Sequence, residues 1–235
     1  MTRKAKGKTT QLEIVKVASE FFFEKGFSHT SARAICDAMN ISTGNLTFYF
    51  PTKDHILAVL VDELFHFQNL MMEQAAEEGK SSLLAYCLEL TAMASACEES
   101  EIARDFYAAS YTSPMTLRLV RANDTEKTKA VFRQFRPDWT DEQWAATENI
   151  VSGIEYATIV TKEKDTPLEV QIERTLSAIL LLYGVPDKTR QMKIDKVLAM
   201  DYRGLGRGIL QAFREYIEKV NEDNLRSTKQ LNNKA

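Results

Sequence analysis

The chain is 235 residues long and 44% hydrophobic, with 9 Gly, 5 Pro, 3 Cys and a formal net charge of −3. That is enough apolar material for the core of one domain or of two small ones. No apolar run is long enough to span a bilayer and no signal-peptide core follows Met1, so a cytoplasmic chain with no membrane partner is expected. Cys36, Cys87 and Cys97 are too scattered for a zinc pattern and odd in number for a disulfide framework, and His29, His55 and His66 have no metal-ligand spacing. Buried, reduced thiols, no metal and no cofactor are therefore expected. Helical spacing recurs throughout, whereas a period-two run flanked by turns is not seen, so the fold class is all-α.

Four of the seven positive charges in residues 1–50 fall in the first ten positions: Arg3, Lys4, Lys6 and Lys8. They read as an arm, disordered when free, that follows a phosphate backbone or enters a minor groove, or else as a solvated tail. Residues 1–50 hold seven Lys and Arg against four Asp and Glu, a net of +3, which leaves −6 for the remainder. A basic head on an acidic body suggests that the head faces nucleic acid. Thr10-Gln11-Leu12-Glu13 has the capping-box pattern and is expected to open the first helix, which presents Ile14, Val17, Ala18, Phe21 and Phe22 on one side and ends at Gly26.

Two short helical patterns follow, Ser31 to Met39 and Thr43 to Tyr49, separated by Asn40-Ile41-Ser42. Asn40 suits a left-handed residue at the end of the first, and Ser42 can accept the free N–H groups of the second. This is a helix-turn-helix pattern, and the second helix is the one expected to enter a major groove. Ile41, Leu46 and Phe50 are spaced to face inward. Thr43, Asn45, Thr47, Phe48 and Tyr49 are left to meet bases and phosphates, and Gly44 permits close backbone approach. Thr30, Ser31 and Arg33, at the start of the preceding helix, complete the candidate DNA-contacting set.

Residues Ile14 to Leu57 resemble, without gaps, the N-terminal domain of the TetR/AcrR family of bacterial transcriptional regulators. The matching positions are Ile14, Ala18, Phe21-Phe22, the corner Glu24-Lys25-Gly26-Phe27, Thr30-Ser31, Ile35, Ala38, Ile41-Ser42, Gly44-Asn45-Leu46, Phe50, Lys53 and Leu57. Asn40 stands where the family usually has Gly, and Thr47-Phe48-Tyr49 where Tyr-Tyr-His is common. The resemblance implies that Thr43, Asn45, Thr47, Tyr49 and Lys53 touch double-stranded DNA. It also implies a larger helical domain for ligand binding and dimerisation behind the DNA-binding one.

Pro51 is expected to stop the recognition helix, and Thr52 with Asp54 to begin a longer one reaching about Glu78, which joins head to body as a lever. The division expected is 1–50 for the arm and DNA-binding domain, 51–220 for the body, and 221–235 for a disordered tail. Breaks in the body are expected near Glu98 to Glu101, Ser113-Pro114, Pro137-Asp138, Lys162 to Pro167, Gly184 to Pro186 and Gly204 to Gly208.

Aromatic and sulfur side chains with interspersed polar groups run through the body helices. They fill the core, or they line a cavity for an unknown small-molecule effector; the candidate lining residues are Tyr86, Met93, Tyr107, Tyr111, Glu155 and Tyr156. Glu155, inside the apolar run Ile150 to Val160, needs a cationic or hydrogen-bonding partner if buried. Trp144 to Val160 and Leu168 to Tyr183 carry the apolar stripes expected to form a homodimer about a twofold axis.

Two functions fit this reading. One is a ligand-responsive regulator, a repressor that holds a near-palindromic operator as a dimer and is released by a small molecule. The other is a constitutive DNA-binding protein of the same fold that recruits a protein partner. No nucleophile–base pair, metal spacing or phosphate-cradling Gly loop supports an enzyme.

Overall fold

The computed structural model describes residues 3–75, 82–161 and 166–233, and every regular element among them is a helix. The head contains α1 (Arg3–Lys25), α2 (Ala32–Met39) and α3 (Thr43–Tyr49), and α4 (Lys53–Ala75) leads out of it. The body follows as α5 (Leu83–Glu99), α6 (Glu101–Thr112), α7 (Pro114–Phe132), α8 (Asp141–Val160), α9 (Leu168–Leu182), α10 (Asp187–Leu198) and α11 (Tyr202–Asn233). None of these helices is long and apolar enough to cross a membrane.

Local chemistry sets most helix ends. Ser31, Ser42, Ser82 and Ser100 cap α2, α3, α5 and α6 through their hydroxyls, and Thr140 with Gln143 forms a complete capping box on α8. Pro114 occupies the first turn of α7, where its missing N–H costs nothing. The expected breaks at Ser100, Ser113-Pro114, Pro137-Asp138 and Gly184 to Pro186 fall between helices. The break expected from Lys162 lies mostly outside the described residues, as does the end of α4 near Glu78.

Three expectations are corrected. Thr10 does not open α1, because the helix continues back through the basic arm to Arg3; Arg, Lys and Ala are good helix formers and Gly7 alone does not break the run. Asn221 to Asn233 is not a separate tail but about the last two fifths of α11. Gly204 to Gly208 is not a break either. The chain turns before it, at Asp201, and Gly206 lies inside α11 where a Cβ would come within 2.9 Å of the Ala96 backbone nitrogen. Its missing side chain is what lets α11 lie directly on α5.

Two apolar clusters make up the interior. One joins the head to α4, α6 and α11; the other holds α5 and α7 to α10. Phe213 of α11 is the link in the first, with its ring 5.5 Å from Phe23 of α1, 5.3 Å from Phe67 of α4 and 5.8 Å from Phe106 of α6. Polar clasps reinforce it. Asp105 of α6 accepts the Ser28 backbone N–H at 2.8 Å and also the Ser28 hydroxyl, while Tyr216 donates to Glu63 at 3.1 Å. The helices after Tyr183 thus carry the chain back to the head.

Candidate functional site

At the head, the turn between α2 and α3 closes as a left-handed cap. Asn40 sits at φ 52° and ψ 45°, its N–H donates to the Asp37 carbonyl at 3.2 Å, and the Ile41 N–H donates to the Cys36 carbonyl at 3.0 Å. Ser42 then accepts the Asn45 N–H at 3.2 Å. With Ile35, Leu46 and Phe50 buried, α3 is fixed by its inner face. Thr43, Gly44, Asn45, Thr47 and Phe48 are left exposed, and the Phe48 ring, 79% exposed, stands edge-on to Tyr49 at 5.0 Å. Tyr49 is half-buried, and its hydroxyl lies beside Gly7, so the extended α1 passes over the end of the recognition helix.

The other candidate DNA-contacting residues divide. Ser31 and Arg33 are exposed, with the Ser31 hydroxyl engaged as the α2 cap and Arg33 in a loose 3.9 Å pair with Asp37. Thr30 is buried and donates to the Gly26 carbonyl at 2.8 Å, so its role is to close the α1–α2 corner. Lys53 is turned inward as well. Its ammonium donates to the Phe27 carbonyl at 2.8 Å and the Thr30 carbonyl at 3.2 Å and lies over the Phe27 ring, which pins the start of α4 to that corner.

The body holds a cavity of about 40 Å³ between the two apolar clusters. Val61, Leu64, Phe65 and Gln68 of α4 form one wall. Of the six candidate ligand residues, Tyr86, Met93, Tyr107, Tyr111 and Glu155 line this space; Tyr156, one position on from Glu155 and half-buried, does not. Glu155 has the partner its burial demands, accepting a hydrogen bond from the Tyr111 hydroxyl at 2.9 Å.

Sequence reasoning missed the rest of the polar end. Asp124 and Lys127 of α7 also line the cavity, with Lys127 ion-paired to Glu89. Glu148, fully buried, accepts from the Tyr183 hydroxyl at 2.8 Å, while its Oε1 and the Tyr86 hydroxyl have no hydrogen-bond partner among the described residues. One oxygen each from Asp124, Glu148 and Glu155 lie within 4.8 Å of one another. The available signal was spacing, since Glu148 and Glu155 are seven residues, two helical turns, apart on one face of α8. Which residue of α7 meets that face is a long-range fact that spacing does not carry.

Burial sets the protonation of this cluster. Desolvation, followed by the charge of Asp124, holds the Glu155 carboxyl well above its ordinary range and brings Glu148 to about 8. Asp124 is pushed up to about 6, mainly by burial, with Lys127 opposing. The Tyr86 phenol is raised by burial and then by the charge of Glu155. All three thiols are buried, and burial pushes Cys87 and Cys97 up to about 12, leaving them unreactive.

Of the two expected dimer stripes, that of α9 turns to the core, while Ile150, Ile154 and Ala157 of the α8 stripe stay on the outer side. Ile172, Leu176, Ile179, Leu180 and Tyr183 of α9 and Val151 of α8 face the body's own core. The opposite faces of the two helices carry the exposed apolar residues Ile150, Val160, Val170 and Leu181, with a shallow groove between them bordered by Ile154, Ala157 and Ala178.

A capped helix-turn-helix with an exposed second helix is the arrangement in which a helix is offered to a major groove, and here it stands on an all-helical body. Residues 14–60 match the family model described as bacterial regulatory proteins, tetR family. No curated protein is similar enough to the chain to match. Among solved structures, the chain is similar to the TetR family protein CprB from S. coelicolor A3(2), at 15% identity and a TM-score of 0.43, covering 82% of this chain and 98% of that one. It is also similar to a gamma-butyrolactone receptor described as ArpA like, at 17% identity and a TM-score of 0.39, covering 88% of this chain and 98% of that one.

Proposed function

We propose that the chain is a ligand-responsive repressor that binds a near-palindromic operator as a homodimer and leaves it when a small molecule enters the body cavity. The observation that carries the reading is the course of α4. Ile56, Leu57 and Leu60 belong to the core beneath the recognition unit, and Leu64, Phe65 and Gln68 wall the cavity one to two turns further on, with Val61 shared by both. A cavity of about 40 Å³ has room for a couple of waters, far less than a drug-sized ligand occupies. A larger occupant therefore has to displace α4, and Lys53 transmits that displacement to the α1–α2 corner. The shift in operator affinity is bounded by the occupant's preference for the displaced state.

In this reading α3 contacts the major groove through Thr43, Asn45, Thr47 and Phe48, with Gly44 at the closest backbone approach. Tyr49 and the basic first turns of α1 lie against the flanking phosphates, and Lys53 positions the unit. The exposed faces of α8 and α9 are the dimer surface, where Gly153, with open space around it, and Ala157 permit close helix approach. Two heads then read half-sites about 34 to 36 Å apart, or a multiple of that.

A gel shift with the DNA upstream of the gene tests this. The expected result is a complex of two chains per site that a Thr47→Ala, Phe48→Ala variant fails to form and that a cognate small molecule dissolves. The small cavity also supports a second reading, in which the chain binds DNA constitutively and recruits a protein. A complex that no compound dissolves, from a metabolite panel that also fails to raise the melting temperature, selects that reading.

A further inference from the structure

The polar end of the cavity has a property that the lever argument does not use. One oxygen each from Asp124, Glu148 and Glu155, all hard donors, lie within 4.8 Å of one another. Oxygens held by one ion at about 2.3 to 2.6 Å are at most about 5 Å apart, so this spacing is compatible with a shared cation.

Two polar atoms of the cluster and of the cavity lining have no hydrogen-bond partner among the described residues. Glu148 Oε1, on a fully buried residue, has no partner, and neither has the hydroxyl of Tyr86, a residue 4% exposed that lines the same cavity. An orphaned acceptor and an orphaned hydroxyl on two buried residues ask for a group that accepts lone pairs from them.

The neighbouring cations are already engaged. Lys127 is bonded to Glu89, and Arg121 donates through Nε to Ser152 at 3.0 Å. Four carboxyl groups, those of Glu89, Asp124, Glu148 and Glu155, accompany two basic side chains, Lys127 and Arg121. Two of the carboxyls are also held by phenols: Tyr183 donates to Glu148 Oε2 and Tyr111 to Glu155 Oε2. Such outer hydrogen bonds fix the orientation of carboxylates that ligate metal. The space of about 40 Å³ accommodates an ion with one or two waters.

We propose that Asp124, Glu148 and Glu155, with the Tyr86 hydroxyl, form a binding site for one hard divalent cation. The site rests on the geometry alone. Only its consequence at DNA rests on the reading of the cavity as the effector site, where the ion is either the effector or the fixed part of a site completed by an oxygen-bearing ligand that reaches it past Gln68 and Phe65.

Titration of the full chain with Mn²⁺ alone, followed by the loss of its free electron-paramagnetic-resonance signal, and with Ca²⁺ alone by calorimetry, tests it. One ion per chain is expected, with affinity at least tenfold lower in Glu148→Gln and in Glu155→Gln. Gln keeps the shape and can still accept from Tyr183 or Tyr111, so both variants should melt no lower than the parent. Asp124→Asn provides a third arm if either fails to fold. Absence of uptake up to millimolar ion, or uptake that survives the Glu148→Gln, Glu155→Gln double change, overturns the site. Ion uptake with unchanged operator affinity leaves the site standing and removes the effector reading. Operator release by an organic compound, without ion uptake, keeps that reading and sinks the ion site.

Discussion

In the head, each determinant sits within a few residues of what it determines: Ser42 caps the helix it precedes, Asn40 ends the helix it follows, and Leu46 and Phe50 anchor the segment they belong to. In the body, the cavity is assembled from α4 to α8, and its polar end brings Tyr111 to Glu155 and Tyr183 to Glu148 across 44 and 35 residues. The head is thus a local object that can be altered one side chain at a time. The body is a packing solution in which each side chain answers for several helices. Substitutions in the two should differ in what they break.

The largest effect is expected where the two are joined. Phe213 is buried between α1, α4 and α6, and Phe213→Ala removes the ring from all three neighbours at once. A loss of about 3 to 5 kcal/mol is expected in urea unfolding. If the join is what makes head and body unfold together, the variant's helix signal and its Trp139/Trp144 fluorescence, which reports the body alone, will no longer share a midpoint. Coincident transitions at an unchanged midpoint would show that α11 is dispensable to the head.

Asn45→Ala is expected to do the converse. The side chain is exposed on the recognition helix, so stability should stay within about 0.5 kcal/mol. Specific operator binding should weaken by about 1 to 3 kcal/mol if its amide reads a base edge, with non-specific binding unchanged. Quantitative gel shifts on operator and scrambled duplexes separate the two. Ser42→Ala lies between these cases: the lost cap should cost about 1 kcal/mol, and because it frays α3 from its first turn, operator affinity should fall with it.

The same contrast explains what could be read from sequence. Asn40 and Ser42 were legible because turn and cap chemistry is decided by neighbours along the chain, and five of the six candidate cavity residues were legible because polar groups in apolar helical stripes are costly unless they meet in one place. Tyr156 failed because helical neighbours point about 100° apart, so the residue after Glu155 faces elsewhere. The α9 stripe was read as a subunit interface although it faces the body core, because periodicity shows that a face is buried and not what buries it. Asp124 and Glu148 were missed for a related reason, being ordinary surface-type residues until the crossing of α7 and α8 removes them from water. Lys53, which the resemblance implies touches DNA, bonds two carbonyls at the corner it follows, a long-range contact that a motif match does not carry.

The smallest effect concerns the clasp that ties α11 to the body's outer surface. Arg203 bonds Glu169 of α9 through Nη2 at 2.8 Å and Glu98 of α5 through Nη1 at 2.8 Å, and Tyr202 donates to the same Glu169 oxygen at 2.7 Å. The Arg203 guanidinium, then the Tyr202 hydroxyl, hold the Glu169 carboxyl down at about 2. A folded-state value below the unfolded one means that the clasp stabilises the chain above the ordinary Glu range, near pH 4.5, and that this contribution is lost as pH falls toward 2. Both side chains are substantially exposed, so solvent and salt screen the interaction and the effect is modest. Glu169→Gln should lower the melting temperature slightly at pH 6, with the gap from the parent closing as the pH is brought down from 4.5. A gap that is unchanged at pH 3, or that does not shrink when salt is raised to about 1 M, would place the residue's contribution in packing instead of charge.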